Sequence, residues 1–186
     1  DNNNYIGGVI TITDITEEVA NKKFIKHQEL IYRSMFDSVN DAIYIMADSK
    51  IVDCNEAALD LFKIDSKEEF LNINPRKIFP QKQPDGTDSY DSSVRELRKT
   101  LKDGCNSFEW IYKSSDGREF PTEVILTVIK AEKEEFIHIS VRDISVRKQT
   151  EKEIEETNKE ILKNNWIKTG QNKLNEEMSG DNNVVD

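Results

Sequence analysis

Glu119-Phe120-Pro121-Thr122-Glu123-Val124-Ile125-Leu126-Thr127-Val128-Ile129, then a charged turn at Glu132 to Glu135, then Phe136-Ile137-His138-Ile139-Ser140-Val141-Arg142, form the most informative stretch of the chain. Both flanks are β-branched and aromatic, and the polar break between them is short, so they read as two neighbouring antiparallel strands. In the first, Val124, Leu126 and Val128 point one way and Ile125, Thr127 and Ile129 the other. Both faces are therefore mostly apolar, whereas an antiparallel sheet with one wet face alternates more cleanly. The second face is expected to be covered by the helix predicted at 16–38, by a second copy of the chain, or by both.

Outward from this hairpin the pattern extends in both directions. Phe108 to Lys113 is a further strand, joined to Glu119 by the turn signal Ser115-Asp116-Gly117. Upstream, Tyr90, Val94, Leu97 and Leu101 recur at i, i+4, i+7 and i+11 and predict an amphipathic helix, with Gly104 as its C-terminal stop. Pro75, Pro80, Pro84 and Gly86 break up the preceding stretch. Ser66 caps a short helix over 67–71, and Asn55 caps another over 56–62. Ala42 to Ala47 and Ile51 to Cys54 are two hairpin arms about the tight turn Asp48-Ser49-Lys50. The order is β-β-α-α-α-β-β-β, an α+β fold with one five-stranded antiparallel sheet and its helices gathered on one face.

The end of the hairpin, Ser140-Val141-Arg142-Asp143-Ile144-Ser145, is echoed by Thr11-Ile12-Thr13-Asp14-Ile15-Thr16 about one small domain earlier. Each copy closes an apolar run and is followed by a charged, helix-favouring stretch. The phrase reads as a joint between modules, met twice. Residues 1–14 are then the terminal strand of a preceding module, 15–38 a linker helix with one wide apolar face, 39–145 a complete module, 146–178 an exit helix and 179–186 a disordered tail. In the exit helix Ile154 and Ile161 lie seven apart with Thr157 and Asn164 between and beyond, a short polar seam that makes a weak coiled coil.

Net charge is −10, and no Lys or Arg cluster lacks interleaved acids, so neither nucleic acid nor an anionic membrane surface is the expected partner. No apolar run of 18 residues spans a bilayer, and the expected location is cytoplasmic, with a parent protein that is free to be membrane-anchored elsewhere. Cys54 and Cys105 match no metal spacing and read as reduced thiols. No Ser/His/Asp set, P-loop or phosphoacceptor motif is present, so the chain is not expected to be an enzyme.

The chain resembles a PAS domain over about residues 36–148. The resemblance rests on Asp41-Ala42-Ile43, Asn55-Glu56-Ala57-Ala58, Gln83-Pro84-Asp85-Gly86, Phe108-Glu109-Trp110, Asp116-Gly117-Arg118-Glu119-Phe120-Pro121 and Arg142-Asp143-Ile144-Ser145-Val146-Arg147-Lys148, in that order. Residues 1–14 look like the tail of a preceding PAS domain. The stretch from Asn164 to Met178 is similar to the lead-in of a GAF-type module in hybrid histidine kinases. The resemblance implies a sensory or relay module of a multidomain signalling protein such as a sensor histidine kinase. It further implies a homodimer, with neighbouring PAS, GAF or kinase modules in the same chain. The alternative is a ligand-free PAS spacer that only aligns and dimerises its neighbours.

The input stays unknown at this level. Heme needs an axial ligand, usually His. The histidines are His27, in the linker helix, and His138, a sheet-face residue, while the pocket-side helix at 90–101 has none. Covalent flavin photochemistry would need a reactive Cys in an Asn-Cys-Arg-Phe-Leu-Gln-like helix, and Cys54 instead ends a strand. Non-covalent flavin stays open. A small-molecule pocket would lie between helices and sheet, with Phe62, Ile78, Val94, Leu97, Leu101 and Trp110 as candidate walls; the same residues could instead fill a solid core. The signal junction is assigned to Asp143, Ser145 and Arg147. Asp143 is placed to accept from helix N-terminal amides and to pair with Arg147 four residues on.

Overall fold

A computed structural model describes residues 16–132 and 134–180, which divide into a unit ending at Asn40 and a second beginning at Asp41. The strand expected at 9–14 and residues 181–186 of the expected tail lie outside the described residues. In the first unit α1 (Thr16–Asp37) follows the predicted helix. Within it Lys22 reaches back to Glu18 at 2.6 Å, and the Tyr32 and Phe36 rings stack at 5.5 Å, both pairs at helical i,i+4 spacing.

The second unit runs β1 (Ala42–Ala47), β2 (Lys50–Cys54), α2 (Glu56–Phe62), α3 (Lys67–Leu71), α4 (Pro75–Ile78), α5 (Ser89–Asp103), β3 (Cys105–Lys113), β4 (Glu119–Ala131), β5 (Glu134–Asp143) and α6 (Ser145–Gly180). The strands form one antiparallel sheet in the order β2-β1-β5-β4-β3. β1 thus lies beside β5, far along the chain, with Tyr44 opposite Ile139. The first hairpin closes on Asp48 and Ser49, with φ of 49° and 63°. Both lie in the left-handed region, as a two-residue turn matched to strand twist demands. Register shifts beyond it, where Ile45 faces Asp53 but Met46 faces Ile51. Val52 is the extra residue of that bulge.

Three elements differ from expectation. The helix α4 was hidden because a single turn shows no periodicity; Asn74 caps it by accepting from the Arg76 amide at 3.0 Å, and Pro75 starts it. Strand β3 begins at Cys105, before the predicted start, because Gly104, at φ 84°, turns the chain directly into the sheet and its carbonyl accepts from Val128 N at 2.8 Å. The polar residues Cys105, Asn106 and Ser107 concealed this strand. Helix α6 runs through Gly170 and includes Ser179 and Gly180, which were expected in the disordered tail. One glycine costs a helix interior only about 1 kcal/mol.

The inner sheet face packs against α2–α5. Phe62, Phe70, Ile78 and Leu97 from the helices meet Tyr44, Trp110, Phe120, Leu126 and Ile139 from the strands in one apolar cluster. On the other face the expected apolar character is present, but Ile125 and Ile129 remain 43% and 44% exposed.

Candidate functional site

Between the inner sheet face and the helices lies a cavity of about 470 Å³, within the size range of small-molecule sites. The sheet contributes Tyr44, Phe108, Trp110, Tyr112, Leu126 and Ile139 to its wall. The helical side contributes Leu71, Ile78, Phe79, Val94 and Leu97. The exposed lining residues Ser49, Lys50, Asn72, Pro75 and Tyr90 mark where it opens to solvent. A shallower hollow of about 350 Å³ over α3, beside Glu68 and Glu69, is an open surface depression.

Four of the six residues proposed from sequence line the cavity: Ile78, Val94, Leu97 and Trp110. Two do not. Phe62 is fully buried on the far side of the aromatic cluster, where its ring packs on Phe70, Tyr112 and Phe120 at 5.5, 5.0 and 6.3 Å. Leu101 is 49% exposed; eleven residues on from Tyr90 it keeps the angular position of the stripe to within about 20°, but it lies past the end of the packed face. The residues missed by sequence reasoning are largely aromatic. Tyr112 is in phase with Trp110 on β3, and Tyr44 lies in phase with Ala42 on β1, so the period-two rule carried forward from Trp110 would have found Tyr112.

The polar groups around the cavity are few and specific. The Tyr44 and Tyr112 hydroxyls hydrogen-bond each other at 2.9 Å. Burial pushes the Tyr44 phenol up to about 12 and the Tyr112 phenol well above its ordinary value, with the proximity of Tyr44 adding to the latter. Both rings are therefore neutral at any physiological pH. Trp110 packs edge-on against Phe79 and Phe108 at 5.6 and 5.8 Å. Its indole Nε1 is the one buried side-chain nitrogen or oxygen among the described residues that lacks a hydrogen-bond partner.

Gln83 holds the α4–α5 connection against the exposed edge of β3. Its Oε1 accepts from Ile111 N at 2.9 Å, and its Nε2 donates to Ile111 O at 3.2 Å and to Ser89 Oγ at 2.9 Å. The side-chain amide thus mimics a neighbouring strand's peptide group, next to the wall residue Trp110. Opposite, the Arg76 guanidinium lies 4.4 Å over the Tyr90 ring, tying α4 to α5 beside the opening.

The junction differs from its expected wiring. Asp143 Oδ1 accepts from Ser145 N at 2.7 Å, a bond to the first helical amide. Its Oδ2 accepts from Arg118 at 3.0 Å, not from Arg147. Arg118 projects from the β3–β4 turn, and its guanidinium also covers the Phe120 ring at 5.3 Å. Arg147 instead turns toward the sheet and meets Glu109 at 3.1 Å and Glu123 at 3.9 Å. Lys148 adds a bond to Glu109 at 2.7 Å, and this lysine holds the Glu109 carboxyl below the usual range. Ile144 is buried and donates its amide to Pro121 O at 3.0 Å. Beyond Glu151 the helix stands in solvent, with Ile154, Ile161 and Trp166 exposed.

These contacts join the cavity wall to the start of α6 through a single strand. Strand β3 carries Phe108 and Trp110 on the cavity side and Glu109 between them, on the face that grips α6. Replacing both Arg118 and Glu109, as Arg118→Ala and Glu109→Gln, is expected to accelerate amide exchange at residues 146–150 about two- to fivefold, the range an exposed ion network supports. Unchanged exchange would mean that Ile144 alone holds the helix start.

Among the described residues no helix is long and apolar enough to cross a membrane. The family described as PAS domain matches residues 40–146. The chain is 31% identical over 152 residues to the methyl sulfide methyltransferase-associated sensor of Methanosarcina acetivorans; the match covers 80% of this chain and 14% of that protein, so the chain spans about a seventh of this curated relative. The crystal structure of a PAS domain from a two-component sensor histidine kinase superposes with a TM-score of 0.53 at 18% identity, covering 64% of this chain and 98% of that one. The PAS domain of an HTR-like protein from Haloarcula marismortui gives 0.53 at 19% identity, covering 68% and 99%. At these identities the two structures speak for the fold alone.

Proposed function

The chain belongs to the PAS domain family, and from that premise we propose that it is a sensory module which takes a small apolar molecule into the cavity and passes occupancy to α6. The cavity carries this reading: about 470 Å³ of space remains beside a well-packed aromatic cluster, where a solid core would be filled to crystal-like density. The relative named as a sensor is consistent with it.

A ligand that presses on Trp110 displaces β3, and Glu109 on that strand transmits the displacement to Arg147 and Lys148. The junction at Asp143, Ser145 and Arg147 then acts as a two-state hinge whose states differ by a few kcal/mol. In this reading the segment is not an enzyme. It works as a cytoplasmic homodimer, through the exit helix, on an output module such as a histidine kinase within a longer protein.

Native mass spectrometry of the purified chain tests this. The expected result is an added discrete mass that is absent from Leu97→Trp, whose larger ring fills the cavity. Polypeptide mass alone, together with no heat stabilisation by hydrophobic probes, would leave a ligand-free spacer as the function.

A further inference from the structure

The chemistry of the cavity wall narrows what it admits. The Tyr44 and Tyr112 hydroxyls together own two hydrogens, and their mutual bond at 2.9 Å uses one. Neither hydroxyl has any other partner among the described residues, so one hydrogen has no acceptor there. It must point away from the partner oxygen, and the open space that both rings border is the cavity. Trp110 stands two residues before Tyr112, on the same face of the same strand, and its buried Nε1–H also lacks an acceptor. The cavity-lining rings thus hold two donor hydrogens without an acceptor among the described residues, beside the spare lone pairs of the phenol oxygens.

Among the described residues no carboxylate or His lines the cavity, and the one charged lining residue, Lys50, lies exposed at the opening. An ion brought inside would lose its hydration and gain no counter-charge. A pure hydrocarbon would be tolerated but would leave the donors unpaired, and a site built with buried donors discriminates against molecules that cannot accept from them.

We propose that the cavity selects neutral, largely apolar molecules that carry one hydrogen-bond acceptor, of the ketone, ester or ether class, seated with the acceptor oxygen at the Tyr44–Tyr112 pair. This rests on the reading of the cavity as a ligand site.

Three probes of similar size separate the alternatives: acetophenone, α-methylstyrene (the same shape with a methylene in place of the oxygen) and benzoate. Titrations are followed by the indole N–H signal of Trp110, assigned against Trp166 by substitution of the latter. The expected result is that acetophenone binds roughly five- to tenfold more tightly than α-methylstyrene, the worth of one hydrogen bond, and more tightly than benzoate. That preference should vanish in the Tyr44→Phe/Tyr112→Phe variant, which keeps both rings and removes donor and acceptor together. Equal binding of acetophenone and α-methylstyrene overturns the selectivity and leaves the ligand site standing. Tightest binding by benzoate overturns it in favour of an anion held at Lys50. Failure of all three probes to bind overturns both the selectivity and the cavity's role as a ligand site.

Discussion

Above pH 10 the protein should lose stability steeply, and the loss should trace to two side chains. In the unfolded chain tyrosine ionises near 10, whereas burial raises Tyr44 to about 12 in the fold and raises Tyr112 well above its ordinary value. Below pH 10 both states keep the protons, and the full contribution is present. Between pH 10 and 12 the unfolded state releases protons that the folded state retains, so each pH unit shifts the balance toward unfolding by about 1.4 kcal/mol per tyrosine. For Tyr44 alone this amounts to about 2 kcal/mol by pH 12, a sizeable part of the stability of a small domain. Urea midpoints measured from pH 7 to 12 should fall accordingly. In Tyr44→Phe/Tyr112→Phe the decline should flatten, with little change at pH 7, because a hydrogen-bonded pair replaced on both sides leaves no orphaned group. Identical alkaline profiles for the two proteins would show that other groups govern the loss.

Asn55→Ala should be the most damaging single substitution of a polar residue. Asn55 is 1% exposed. Its Oδ1 accepts from Ile43 N at 2.8 Å and Ala58 N at 3.0 Å, and its Nδ2 donates to Asp41 O at 3.0 Å. One side chain thereby caps α2 and locks it to β1. Alanine removes the cap, worth about 1 kcal/mol, and strands buried backbone groups that cost about 1–3 kcal/mol each. A total loss of about 3 kcal/mol is expected by chemical denaturation. Asn55→Asp keeps both accepted bonds but sets a carboxylate against the Asp41 carbonyl, so it should recover only part of the loss. An alanine variant within 1 kcal/mol of the parent would mean that water replaces the clamp.

Local pattern was sufficient for most of the fold. Asn55 and Ser66 as caps, the stripe Tyr90-Val94-Leu97 and the alternation in β3 to β5 each express a rule that acts within a few residues. The element order apart from α4 followed from those rules, and the family resemblance rested on that order together with the motifs quoted above. The site was half legible for the same reason: Ile78, Val94, Leu97 and Trp110 are apolar residues on predictable faces, and a helix or strand face can be read from spacing.

What failed depended on distance in space. Leu101 obeyed the helical period but lay past the end of the packed face, and Phe62 was apolar but on the other side of the aromatic cluster. Asp143 had Arg147 one turn away in sequence, yet a sheet register brought Arg118 from the β3–β4 turn to it, while Arg147 found Glu109. The Tyr44–Tyr112 pair joins residues 68 apart in the chain, on strands β1 and β3, through a strand order that no local rule specifies. The sequence by itself determined which segments are strands and helices and which faces they bury, because those choices are made by neighbouring residues. Only the tertiary structure decided that a cavity remains, which donors border it and which charges hold the exit helix, because each depends on non-local strand pairing and on how completely side chains from distant segments fill the space between them.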